Sequence, residues 1–274
     1  EAGIGGGGSR VFRDQLAEAR ERLDSETAEK IRTLEQLRRA DRLATVGTLA
    51  SGVAHELGTP LNVISARAKM IAAGEVQGHE SEESARIMVE QTDRISRIIR
   101  QLLDFARPRR PAREPLDLRQ LARQSVLLLA PMAAARGVKV ELEDGAEPVA
   151  ALADGSQMQQ VLSNLIVNAL QASTRGGRVL VSVGVERARP PADVAGTEGP
   201  RACVRVRDQG QGISPENLVH LFEPFFTTKE VGEGTGLGLS VSNGIVREHG
   251  GWIDVTSTPG RGACFCVCLP VGER

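Results

Sequence analysis

Aromatic side chains are scarce in this chain: six Phe, one Trp and no Tyr, together 3% of 274 residues. Its cores must therefore be built from Leu, Ile, Val and Ala, which a hydrophobic content of 41% supplies. Long apolar runs are missing too. No stretch reaches the roughly 18 residues of a membrane span and no signal peptide is visible, so a cytoplasmic address is expected. Neither sign of charge is in excess, because 34 Lys and Arg stand against 35 Asp and Glu. Without a broad basic surface, nucleic acid is not an expected partner. Cysteine is limited to Cys203, Cys264, Cys266 and Cys268. The last three alternate along one strand-like segment, with their sulfurs on one face and Phe265, Val267 and Leu269 on the other. These spacings do not match the paired Cys-x2-Cys knuckles of zinc sites, so reduced structural thiols are expected, with a redox or metal role as the alternative.

What the sequence does contain is organised in blocks. Its length favours two folded units and a connector. Residues 1–9 have a flexible Gly-Ser composition and are read as a linker or fusion scar. Residues 10–42 are charged and helical in pattern, with Phe12, Leu16, Ala19 and Leu23 spaced by four and three, which predicts a coiled-coil helix with a stutter before Ile31. A second amphipathic helix carries Val46, Ala50, Val53, Leu57, Pro60, Ile64, Ala68 and Ile71 on one face. His55 lies two positions from both Val53 and Leu57, and so points away from that stripe towards solvent. The helix is expected to end near Ala73, before Gly74 and Gly78, and a third helix follows with Ile87, Gln91, Ile95, Ile98, Leu102 and Phe105 inward. Such a hairpin leaves an apolar groove uncovered, which predicts a four-helix bundle formed by a homodimer over residues 43–107. A stiff basic linker at 108–114 leads to a mixed α/β unit over 115–272. There the pattern predicts helices at 118–135, 155–174 and 238–248, and strands near 116, 138–142, 149–153, 178–186, 202–207, 253 and 265. A loop from Arg189 to Pro200 separates the two longest strands.

Three segments of the second unit carry chemistry. On the helix from Gly155, amides recur at Gln160, Asn164 and Asn168, opposite a face of Val161, Leu162, Leu165, Ile166, Ala169 and Leu170. Amide oxygens suit a hard cation when phosphates bring the negative charge. Next, Asp208 ends a strand before Gly210 and Gly212, where a carboxylate can accept from an exocyclic amine such as that of adenine. Finally Gly232, Gly234, Gly236 and Gly238 alternate into a helix start, a pattern that suits a polyphosphate. It is neither a P-loop, for want of Gly-Lys-Ser/Thr, nor a dinucleotide fingerprint.

The order of these segments, with Leu221 to Lys229 between the second and third, resembles the nucleotide-binding boxes of the histidine kinases. The stretch around His55 resembles that family's phosphoacceptor box. The resemblance covers about residues 43–271 and implies an α+β chain: a helical-hairpin domain forming the dimeric bundle, then an α/β sandwich binding ATP. It implies His55 as the phosphoryl acceptor, Glu56 as general base, and Thr59 as support for dephosphorylating a partner. It also implies Asn168 as the Mg²⁺ ligand, with Asn164 beside it, and Asp208, Gly210 and Gly212 around adenine. Lys229, Gly234, Thr235, Gly236, Leu237 and Gly238 fall to the phosphates, and 213–235 to a mobile lid. Pro60 removes a hydrogen bond to the Glu56 carbonyl and should bend the helix beside His55. Gly58 stands where the family often has a larger polar residue. The partner so implied is the receiver domain of a response regulator. A serine kinase or ATPase of the same nucleotide fold is the alternative, and a scaffold with a decayed site is a weaker one.

Overall fold

The computed structural model describes residues 50–106, 111–143, 145, 147–229 and 236–272. The expected coiled coil at 10–42, residues 108–110 of the expected 108–114 linker, and Gly234 and Thr235 lie outside them. Two antiparallel helices come first, α1 (Ala50–Ala72) and α2 (His79–Ala106). Gly74 and Gly78 turn the chain between them in the left-handed region that favours glycine. Helix α1 continues through Pro60, which is buried. Ile98 of α2 is 1% exposed, while Ile87, Gln91 and Ile95 of the expected inner face are half-buried.

The second unit follows as β1 (Glu114–Asp117), α3 (Leu118–Arg136), β2 (Lys139–Leu142), β3 (Ala150–Ala153) and α4 (Gly155–Ala172). Then come β4 (Arg178–Ala188), β5 (Gly199–Arg207), the short α5 (Pro215–His220), α6 (Gly238–Glu248), β6 (Trp252–Ser257) and β7 (Ala263–Pro270). Five strands form a mixed sheet in the order β2-β4-β5-β7-β6, parallel only between β2 and β4, and β1 pairs with β3 apart from it. The β4–β5 ladder extends to Ala188↔Gly199 and Arg187↔Pro200. This shortens the loop expected to reach Pro200. A proline is tolerated so close to a strand's start, because a missing ladder donor matters little there.

Alternation sorts the sheet's two faces. Val179, Val181 and Val183 of β4, Val204 and Val206 of β5, and Phe265, Val267 and Leu269 of β7 pack with the buried stripe of α4 in one aliphatic core. The opposite face carries Cys203, Cys266, Cys268 and Trp252 in a second buried cluster, over which Ala188 and Val194 pack. The helix ends have local causes. Asp117 caps α3 by accepting from Arg119 N, Gly137 closes it at φ 66°, and Asp154 caps α4 by accepting from Ser156 N and Gln157 N. His249, buried at the end of α6, accepts from Asp154 N at Nε2 and faces the Ile245 carbonyl with Nδ1 at 2.8 Å. That pairing fixes the neutral Nδ1–H tautomer and ties the end of α6 to the start of α4.

Candidate functional site

A cavity of about 330 Å³ opens beside α4, at the end of β5 and the start of α6. Asp208 lines it from the tip of β5 and is 3% exposed. Its Oδ1 accepts from Gly210 N at 2.8 Å and from Ala263 N at 3.2 Å. Both backbone donors take the same oxygen, so Oδ2 is the one left to a ligand. Burial pushes the carboxyl above the usual aspartate range, against the opposing pull of the two N–H bonds. Gly210 has a steric reason to be glycine, since a Cβ there would lie 2.2 Å from the Ala172 carbonyl oxygen. Gly262, which sequence reading did not single out, is equally constrained: its Cβ would meet the carbonyl oxygen of Asp208 at 2.2 Å. Gly212 lines the cavity with Ile213.

Across the cavity, α4 presents Asn164, Asn168 and Gln171. The Asn164 Nδ2 donates to the Gly238 carbonyl and to Ser242 Oγ, each at 3.2 Å, which pins α4 to the first turn of α6. The Lys229 ammonium donates to Asn168 Oδ1 at 3.3 Å and to Gln171 Oε1. A cation therefore already rests on the amide oxygen expected to hold Mg²⁺, so the donor set accepts positive charge. Gln171 escaped the sequence reading, because an isolated glutamine one turn beyond a regular amide row carries no signal of its own.

The Gly-rich segment enters the described residues at Gly236. Its φ is +64° and a Cβ there would lie 2.2 Å from the Phe225 carbonyl carbon. Phe225 itself sits at φ 65°, unusual for a bulky residue, and donates its N–H to the Gly236 carbonyl at 3.1 Å. The two motifs are thus locked together. Gly238 lines the cavity, whereas Leu237 is fully buried and is not among the residues facing it. The Leu237 side chain packs inward, while its backbone stands between two cavity-lining glycines. Ser214 caps α5 by accepting from Asn217 N.

On the hairpin, His55, Glu56 and Thr59 all lie in α1. The side chain of His55 is outside the described residues, and so is the solvent exposure expected of it. Glu56 Oε2 accepts from Arg94 of α2 at 3.2 Å, and both side chains are mostly buried. Arg94 was invisible to sequence reasoning, because it stands 38 residues from its partner. In Gly58 a Cβ would meet nothing within 4 Å, so the backbone leaves room for the larger residue often found there.

The comparisons match these two regions separately. Residues 45–111 match the family described as His Kinase A (phospho-acceptor) domain, and residues 153–273 match Histidine kinase-, DNA gyrase B-, and HSP90-like ATPase. The chain belongs to the sensor histidine kinases. Among curated relatives of this histidine kinase chain, Sensor histidine kinase ZraS of Salmonella typhi is 36% identical over 241 residues, covering 88% of this chain and 49% of the relative. Signal transduction histidine-protein kinase AtoS of Escherichia coli (strain K12) is 31% identical over 244 residues, covering 88% and 38%. The kinase chain thus spans about half or less of the length of these relatives. Among solved structures, histidine kinase ThkA in complex with response regulator protein TrrA aligns with a TM-score of 0.69 at 24% identity, over 87% of this chain and 65% of that one. That likeness establishes the shared fold of helical hairpin and α/β sandwich.

Proposed function

We propose that the chain is an ATP-dependent protein-histidine kinase that phosphorylates His55 and passes the phosphoryl group to an aspartate of a response regulator. The observation that carries this reading is the cavity that brings Asp208, Asn168, Lys229 and Gly236 together within a region matching a histidine kinase-type ATPase. In this reading residues 43–107 form the dimerisation and phosphotransfer domain, 108–114 the linker and 115–272 the ATP domain. Asp208 accepts the adenine amine, which guanine would replace with a repelled carbonyl oxygen. Gly234, Gly236 and Gly238 offer backbone N–H groups to the phosphates, with Thr235 beside them. Lys229 turns from Asn168 and Gln171 towards the phosphates when nucleotide enters. Asn168, with Asn164 beside it, would hold Mg²⁺, which would neutralise phosphate charge.

At the acceptor, one imidazole nitrogen of His55 must keep its lone pair to attack phosphorus. Glu56, held by Arg94, accepts the proton of the other ring nitrogen and fixes the tautomer. Thr59, one turn further, holds a water for the reverse dephosphorylation of the partner protein. The partner of ThkA in its complex is a response regulator, which supports the same class of partner here.

Incubation with γ-labelled ATP tests the proposal directly. An acid-labile, base-stable label that disappears in His55→Gln is expected. An acid-stable label would identify a serine kinase instead, and hydrolysis with no labelled protein would identify a plain ATPase.

A further inference from the structure

The outer face of the large sheet is the place where the nucleotide reading leaves chemistry unused. The register of β5 against β7 sets Cys203 directly opposite Cys268, and Cys266 is the next residue of β7 on the same face. The Cys203 and Cys268 sulfurs lie 3.3 Å apart, and those of Cys266 and Cys268 3.7 Å. All three sulfurs fall within 4.8 Å of one another, and all three residues are buried. Trp252, opposite Cys268 on β6, closes one side, with the Arg201 guanidinium 5.4 Å above its ring. Ala188 and Val194 at the β4–β5 loop pack over the top.

We propose that Cys203, Cys266 and Cys268 form a binding site for a single cuprous ion. Three sulfurs converging on one point give a soft, all-thiolate donor set, which selects soft metal ions over hard ones. Coordination number then separates the two commonest soft candidates. Zinc takes four ligands, and among the described residues no fourth Cys, His, Asp or Glu joins the group. A d¹⁰ monovalent ion that accepts three sulfurs in a plane needs none.

Each thiol gives its proton to solvent as its sulfur–copper bond forms, and copper stays in its +1 state throughout. Uptake must therefore release protons and tighten as pH rises.

The test uses the full chain, reduced and free of oxygen, with cuprous ion delivered from its bicinchoninate complex. One equivalent should be withdrawn from the complex, zinc at equal concentration should not displace it, and X-ray absorption should find three sulfurs around the copper. Cys266→Ser and Cys268→Ser should each weaken uptake by at least about 100-fold, while Cys264→Ser, which lies outside the trio, should leave it unchanged. Circular dichroism confirms that each variant is folded, and the absorption measurement on the native chain stands without any variant. No uptake by the native chain, undiminished uptake by a folded Cys266→Ser, or displacement by zinc would each overturn the assignment.

Discussion

Asp208 is costly to the fold and is retained at the mouth of a cavity, a combination that marks a residue kept for a ligand. Its burial disfavours the charged form, and two backbone N–H bonds to one oxygen only partly offset that cost. Asp208→Asn keeps an oxygen for the Gly210 and Ala263 donors and removes the charge facing the adenine amine. ATP affinity should fall about 10- to 100-fold, the range for loss of one charge-assisted hydrogen bond, with the fold intact. Titration calorimetry measures this, and unchanged affinity would remove Asp208 from the adenine site. Arg94 acts at the same scale but through another residue. Arg94→Ala releases the Glu56 carboxylate from its ion pair across the hairpin. Autophosphorylation should then slow by about tenfold with the KM for ATP unchanged, and Arg94→Lys should recover part of the rate. A change confined to KM would count against a positioning role.

Helix α4 shows how one element is fixed by local and distant groups at once. Its cap Asp154 accepts from Ser156 Oγ and from the backbone of Ser156, Gln157 and Ala112, and the Ser156 hydroxyl contributes most to lowering its carboxyl below the usual range. Because the folded-state pKa is the lower one, this stabilisation is complete above the unfolded value of about 3.9 and is lost as pH falls from there through the folded value. Asp154→Ala should cost about 1 kcal/mol near neutrality, and the gap from native should close below about pH 4 in urea melts. In α6 the sign reverses: a Cβ at Gly244 meets nothing within 4 Å. Gly244→Ala should raise stability by about 0.5–1 kcal/mol in the same melts.

These elements were legible in the sequence, because capping residues, left-handed glycines and apolar periodicity are all local signals. So were the Asn168, Asp208 and Gly236 motifs. Contacts between residues far apart in the chain were not. The Arg94–Glu56 pair, the Lys229–Gln171 bond and the convergence of Cys203 with Cys268 depend on which helices and strands become neighbours. Strand alternation alone put three sulfurs on one face, but only the β5–β7 register supplied the third member of the trio from another strand. A motif names a stretch of backbone and does not say which side chain within it turns inward, as that of Leu237 does.

For the molecule as a whole, the hairpin leaves an apolar stripe uncovered. Ile98 of α2 is buried, yet Val89, Ile99 and Leu103 remain 43–61% exposed. At about 100° per residue these three fall within one narrow stripe, and Ile98 points to the other side of the helix. Leu61 of α1 adds a fourth exposed aliphatic side chain. A second apolar stripe on an already packed helix is the pattern of a bundle helix with further neighbours, which a second copy of the hairpin would supply. Light scattering should therefore report a dimer at micromolar concentration. Ile99→Glu with Leu103→Glu should shift it to monomer while leaving ATP affinity unchanged, because both residues lie outside the nucleotide cavity. If that monomer still labels His55 at the native rate, a kinase domain reaches the histidine of its own chain. If labelling is lost and then returns on mixing with an ATP-binding-defective dimer that retains His55, the phosphoryl group crosses between copies. A native chain that scatters as a monomer would remove the bundle altogether.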